Sequence, residues 1–304
     1  MNVLIVGYGS IGTRHARLLE EKGHKVICVT GNPDCPFPTS SSIADAVDAY
    51  SFELAIIANA TVNHHDSLKE LLATGYAKRI LIEKPLFEKA YDALNADTND
   101  IFVAYNLRFH PLIQRTFDLL KGKRLNSARF HVGQYLPDWR PDTDYRNCYS
   151  AHKEQGGGVL RDLSHELDLV LWMFEGWTSV TATGGQFSDL EISSDDVFSL
   201  LVKTKRCPAV TINLDYLNYG VRRGFNIIAE GMSLNGDLVA GALDINGEVE
   251  KFVTDRDTTY TAQLEALTCP SHSHLCTYAQ GDEVIRLIDA AETAANDLIW
   301  VKAS

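Results

Sequence analysis

Within GGGVLRDLSHELDLVLW, residues 156 to 172, Asp162, His165, Glu166 and Asp168 crowd together directly behind three glycines. A histidine titrates near neutrality, so it can take the proton of a hydroxyl and return it, while a nearby carboxylate orients the ring or holds a second hydroxyl. The glycines would let a ligand come close to the backbone. Leu163, Leu167, Val170, Leu171 and Phe174 fall on one helical stripe, and His165, Asp168 and Trp172 fall at i, i+3 and i+7 on another. A polar face presented to a ligand and a histidine satisfied inside a packed helix both stay open at this point.

A second group stands at the start of the chain. GYGSIG places glycines at 7, 9 and 12 directly after the apolar run NVLIV and ahead of a helical pattern. In that setting Gly7 makes a tight turn, Gly9 lets the backbone approach a pyrophosphate, and Gly12 lets the helix pack closely on the strand. The helix N-terminus then offers its amides to the phosphates. The cofactor expected is NAD or NADP. Where an acid ordinarily reads the ribose 2′-hydroxyl, VICVTGNP offers Thr30 and Asn32, with no adjacent arginine for a 2′-phosphate, so neither dinucleotide is preferred. Lys84 closes the run RILIEK, at the kind of strand end where ligands of a parallel sheet sit, though a solvated surface lysine is the plainer alternative.

Positioning these groups requires a particular architecture. In the first third, short apolar runs (2–7, 25–30, 53–59, 79–84, 101–106) alternate with helical patterns, as βαβ units do. Beyond about residue 107, ARFHVGQYL, VFSLLVKT and AVTINLDYL are rich in β-branched and aromatic residues and near-alternating, which reads as an antiparallel sheet. The fold class expected is therefore α/β. A doubly wound parallel sheet over 1–110 is followed by an α/β domain over 111–304 with a largely antiparallel open sheet, one face covered by the helix after the glycines and by a final helix over 282–295. The segment 133–155, dense in Tyr, Trp, Arg and Asp, suits a loop that stacks on and hydrogen-bonds a polyhydroxylated ligand, and equally a packed surface loop.

Composition narrows the partners. The 304 residues carry a formal charge of −12, which argues against nucleic acid or an anionic membrane as the main partner. No run reaches the length of a membrane span, and the N-terminus lacks the order of a signal peptide, so a cytoplasmic protein is expected. The cysteines at 28, 35, 148, 207, 269 and 276 lack CxxC spacing and read as free thiols. CPSHSHLC (269–276) brings soft ligands together but matches no zinc spacing, and no metal is expected.

Together, GYGSIG, ANATVNHH, IEKP (82–85), YNLRFHP (105–111), the 156–172 stretch and EGMSLNGDL resemble the glucose-fructose oxidoreductase and inositol dehydrogenase (Gfo/Idh/MocA) family. The resemblance implies a Rossmann domain joined to an α/β domain whose open sheet forms dimers or tetramers. It implies hydride transfer between a nicotinamide and a secondary alcohol or ketone of a sugar, cyclitol or nucleotide-activated sugar. By the same resemblance the cofactor contacts are Gly7, Gly9, Ser10, Ile11, Gly12, Thr30, Asn32, Asn59, Ala60, His64, Glu83, Lys84 and Arg108. The catalytic group is Lys84, His165 and Asp162, with Asp168 orienting the imidazole. Tyr135, Trp139, Arg140, Tyr145, Arg146, Asp162 and His165 would face the substrate. DLSH sets His165 three positions after Asp162 where the family commonly has four, which keeps open a catalytically silent nucleotide-binding sensor of the same fold.

Overall fold

NVLIV and KVICV, each a run of mostly branched apolar residues, lie side by side as parallel strands, with Val3, Leu4 and Ile5 of the first fully buried. Strands covered on both faces read as continuous apolar runs rather than alternation. The computed structural model describes residues 1–76, 78–92, 94, 96–140, 142–268 and 274–303. Two compact units emerge, one of residues 1–106 with 259–282, the other of 107–258 with 283–304.

In chain order the first unit holds β1 (Asn2–Val6), α1 (Ser10–Glu21), β2 (Lys25–Val29), β3 (Thr39–Ser40), α2 (Ile43–Ala49), β4 (Leu54–Ile57), α3 (His64–Ala73), β5 (Arg79–Ile82) and β6 (Ile101–Val103). The second holds α4 (Pro111–Leu119), β7 (Leu125–Gly133), α5 (Val159–Asp162), α6 (His165–Phe174), β8 (Trp177–Gly185), β9 (Val197–Thr204), β10 (Val210–Asp215), β11 (Arg222–Ala229), β12 (Met232–Asp237), β13 (Ala242–Ile245) and β14 (Glu248–Lys251). The chain then returns to the first unit with α7 (Thr258–Thr268) and β15 (Cys276–Thr277), and runs back to the second through α8 (Tyr278–Asp297) and β16 (Val301–Lys302).

The first sheet has the order β15-β6-β5-β4-β1-β2-β3 and is parallel except for β15. Its order reverses direction at β1, and the carboxyl edge at such a reversal is where ligands bind. The second sheet, β14-β13-β12-β11-β7-β10-β9-β8-β16, is antiparallel except where β7 meets β10. In β9 and β10 the buried positions alternate, Leu200, Val202, Ile212 and Leu214 inward and Leu201 outward, as a half-covered sheet requires.

The parallel first sheet and the open second one stand as expected. The last helix begins four residues earlier than its sequence pattern showed, at Tyr278. Nothing in the pattern marked α7, whose inward positions include Thr259 and Gln263 beside Leu264 and Leu267, so no apolar stripe betrays it. Cys269 to Ser273 of CPSHSHLC lie outside the described residues. No helix among the described residues is long and apolar enough to cross a membrane.

Candidate active site

The glycine turn between β1 and α1 is filled from two directions and open in a third. Gly7 sits at φ +96°, and a Cβ there would lie 2.6 Å from the backbone N and Cα of Asn59. A Cβ on Gly12 would meet the Gly7 carbonyl oxygen at 2.2 Å, so helix and turn touch there. At Gly9 a Cβ would meet nothing within 4 Å. This glycine is not explained by the chain's own packing, as it would be in a merely structural turn. It is the N-cap of α1, no side chain caps the helix, and its first turn holds no acid. The amides of Ser10, Ile11 and Gly12 thus stand at a helix end suited to an anion. Beside them a cleft of about 390 Å³ opens at the ends of β1 and β2, with Thr30 in its wall. The Thr30 hydroxyl accepts from the Asn32 amide, and the Asn32 side chain donates to the Tyr8 carbonyl, so the two shape the loop after β2.

The edge at β4 and β5 is tied together by buried side chains. Ala60 precedes a short helical turn, and His64 opens α3 with Nε2 at the Asn59 carbonyl (3.2 Å) and Nδ1 at the carbonyls of Pro85 (3.1 Å) and Leu86 (3.2 Å). Burial pulls the His64 pKa below its ordinary value. Glu83 is 7% exposed; its Oε1 lies 2.7 Å from Nε2 of His15, and its Oε2 accepts from the Lys84 amide. His64 and Glu83 therefore serve to hold the EKP segment in place, with Lys84 half-buried at its end and joined to Pro85 by a cis peptide. Sequence reading missed His15 and Tyr260, whose ring packs edge-on to that imidazole at 6.0 Å. The available signal was a histidine among Gly12, Ala16 and Leu19 on the inward face of α1.

In the second unit Gly157 and Gly158 of GGGVLRD are closed in by the chain itself. A Cβ on Gly157 would lie 2.3 Å from the Tyr149 carbonyl, and one on Gly158 would lie 2.2 Å from Oδ1 of Asp195. The room expected there for a ligand is taken by these neighbours. The helix then breaks at Leu163 and Ser164, separating α5 from α6, so Asp162 ends one helix and His165 begins the next. Asp162, 6% exposed, accepts a 2.6 Å hydrogen bond from the Tyr216 hydroxyl. Tyr149 keeps 37% of its surface exposed but turns its hydroxyl to Asp162, whose charge, with burial of that end, holds the phenol well above its ordinary pKa. His165 is 8% exposed.

The remaining charges of α6 are buried and engaged, contrary to a polar face offered to a ligand. The Arg108 guanidinium forms a two-pronged pair with Asp168, Nε to Oδ2 at 2.9 Å and Nη2 to Oδ1 at 2.6 Å, and lies 5.2 Å from the Trp172 ring. Arg108 was expected to touch the cofactor and Asp168 to orient His165. The structure engages each with the other, because a fully buried guanidinium needs a carboxylate that matches its fork. Glu166 is held the same way by Arg223.

Of the 133–155 loop, Trp139, Arg140 and Tyr145 line one small cavity with Tyr149. Trp139 donates to the Gln134 carbonyl and packs edge-on against Tyr216 at 5.2 Å, next to Asp162. Tyr135 pairs instead with Tyr219, and Arg146 with Asp144 and Glu191, so neither lines that cavity. Tyr149 and Tyr216 were not singled out from sequence. Nothing in a strand end or a loop marks a tyrosine whose hydroxyl turns inward.

Burial pushes the Asp195 carboxyl from its ordinary 3.8 up to about 6, against the opposing pull of the Leu160 amide and Arg161. Between those values the folded chain keeps a proton that the unfolded chain has released. Asp195 thus favours folding at acid pH, and this contribution is lost as pH rises through about 6. Asp195→Asn keeps an oxygen for Leu160 and removes the charge. Its expected gain is about 1–3 kcal/mol at pH 8 with none at pH 4, read by denaturant unfolding. An equal effect at both pH values would refute the linkage.

Residues 118–235 match the model of the GFO/IDH/MocA C-terminal domain. Over 52 residues the chain is 42% identical to 4-hydroxy-tetrahydrodipicolinate reductase of Staphylococcus carnosus (strain TM300), a match that takes in 16% of this chain and 22% of that protein. The chain thus spans about a fifth of the curated relatives it matches. Among solved structures, levoglucosan dehydrogenase in complex with NADH and levoglucosan aligns with a TM-score of 0.85 at 16% identity, covering 100% of this chain and 99% of that one. The WlbA dehydrogenase from Bordetella pertussis, in complex with NADH and UDP-GlcNAcA, aligns at 0.78 and 16% identity, covering 99% and 98%. GenD2 from gentamicin A biosynthesis, in complex with NAD, aligns at 0.79 and 18%, covering 100% and 96%. At such identities the likeness is one of fold.

Proposed function

We propose that this chain, which carries a GFO/IDH/MocA C-terminal domain over residues 118–235, is an oxidoreductase using NAD or NADP on a secondary alcohol or ketone of a sugar, cyclitol or nucleotide-activated sugar. The observation that carries the reading is Gly9, open to solvent at an uncapped helix end while Gly7 and Gly12 are filled by the chain's own backbone. A dinucleotide fits there, with the amides of Ser10, Ile11 and Gly12 on its pyrophosphate and Thr30, Asn32, Asn59 and Ala60 along its path. When bound, the nicotinamide accepts or donates the hydride. The chain's own residues handle the proton and the oxygen. His165 takes the hydroxyl proton during oxidation, and Lys84 steadies the negative charge that develops on the oxygen. Asp162, held by Tyr216, binds a neighbouring hydroxyl, and Trp139, Arg140 and Tyr145 face the rest of the ligand.

The names of similar solved structures support sugar-like substrates bound with NAD(H). As part of the same reading the protein is cytoplasmic. Its copies pair as dimers or tetramers through the open face of the second sheet, where Leu201 is exposed. The test is a scan of sugars, cyclitols and sugar nucleotides with either dinucleotide, following nicotinamide absorbance. Binding without turnover on any of them would favour the silent sensor instead.

A further inference from the structure

We propose that Glu70 makes this chain select NAD(H) over NADP(H), supplying from α3 the negative charge that the end of β2 lacks. The inference rests on the dinucleotide reading above and goes beyond it by naming the cofactor and the residue that chooses it. Gly7, Thr30, Ser41, Asn59 and Glu70 all border the 390 Å³ cleft at the ends of β1 and β2, where the adenosine half of a dinucleotide lies in a sheet of this kind. Among the described residues lining it, Glu70 alone carries a charge.

Its setting keeps that charge in the cleft. Glu70 is exposed and makes no hydrogen bond or ion pair with another described residue, so its carboxylate remains uncommitted. One turn earlier on the same helix, Ser67 accepts a 2.8 Å hydrogen bond from the Asn59 side chain, which fastens this face of α3 to the end of β4. Of the serines that would otherwise suit a phosphate, Ser41 has its hydroxyl proton committed to a carboxylate. Ser41 donates to the Asp45 carboxylate at 2.5 Å, and Ser42 accepts from the Asp45 amide. The Ser41 bond holds the Asp45 carboxyl below its ordinary pKa, so a second negative charge stands just behind the lining. A ribose bearing two hydroxyls can donate to such a wall, whereas a 2′-phosphate meets acids and no cation.

Calorimetric or fluorescence titration of the full-length protein with NADH and NADPH tests this. The unmodified chain should bind NADH about tenfold or more tightly than NADPH, and Glu70→Gln should shrink that ratio about fivefold, chiefly by strengthening NADPH. Adding Thr30→Asp to Glu70→Gln should restore the preference for NADH by returning an acid to the usual place. Equal affinities in the unmodified chain, a preference for NADPH, or a ratio that Glu70→Gln leaves unchanged would overturn the proposal. If the folded protein binds neither dinucleotide, the reading beneath it fails as well. NADH preference without turnover of any alcohol would support Glu70 while removing the proposed reaction.

Discussion

His165→Ala is expected to reduce turnover by about 10² to 10⁴, the usual worth of a general base, while dinucleotide affinity stays close to that of the unmodified chain. The separation follows from the role proposed for the imidazole: it would meet charge only as the hydroxyl proton leaves, and so act on the reaction more than on binding. His165 opens α6 and is 8% exposed, between the Asp162 cluster and a buried helix whose other acids are held by arginines. Loss of the ring there opens little of the apolar core, so the variant should still fold, which circular dichroism would verify. Lys84→Ala should also lower turnover, through lost stabilisation of the oxygen. Near-normal turnover of the true substrate by folded His165→Ala would end the assignment and make the carboxylate of Asp162, which accepts from Tyr216, the next base to test.

Gly9→Val should leave the fold intact and weaken dinucleotide binding about a hundredfold or more, because its side chain fills space that the chain leaves open and the proposed pyrophosphate would take. Gly12→Ala gives the contrasting result. Its methyl would lie 2.2 Å from the Gly7 carbonyl, forcing helix from turn, with an expected loss of about 1–3 kcal/mol of stability. Thermal unfolding beside ligand titration resolves the two effects. Equal dinucleotide affinity in Gly9→Val and the unmodified chain would show that the open side of the turn holds no cofactor.

The glycine turn of the candidate site was legible because its signal is local. GYGSIG between an apolar run and a helix specifies a turn, and the structure forms that turn with Gly9 left open. Continuous apolar runs in the first third and alternation later reflect how many faces each strand buries, a property written residue by residue. Partners across the chain were not legible. Asp168 and Arg108 stand 60 positions apart, Asp162 and Tyr216 54, His15 and Glu83 68. A charged residue in a helical pattern looks alike whether it faces a ligand or a buried arginine.

The sequence by itself determined the parallel first sheet, the open second sheet and the glycine turn, and it carries His165 and Lys84 as side chains whose chemistry suits a proton and an oxygen. Only the tertiary structure decided which polar groups are used up inside the protein. It engaged Arg108 with Asp168, filled the space at Gly157 and Gly158 with Tyr149 and Asp195, and brought Glu70 to a cleft whose strand end lacks an acid. The physical reason is that a buried charge or a missing Cβ is explained only by whatever lies against it, and that neighbour comes from a distant part of the chain.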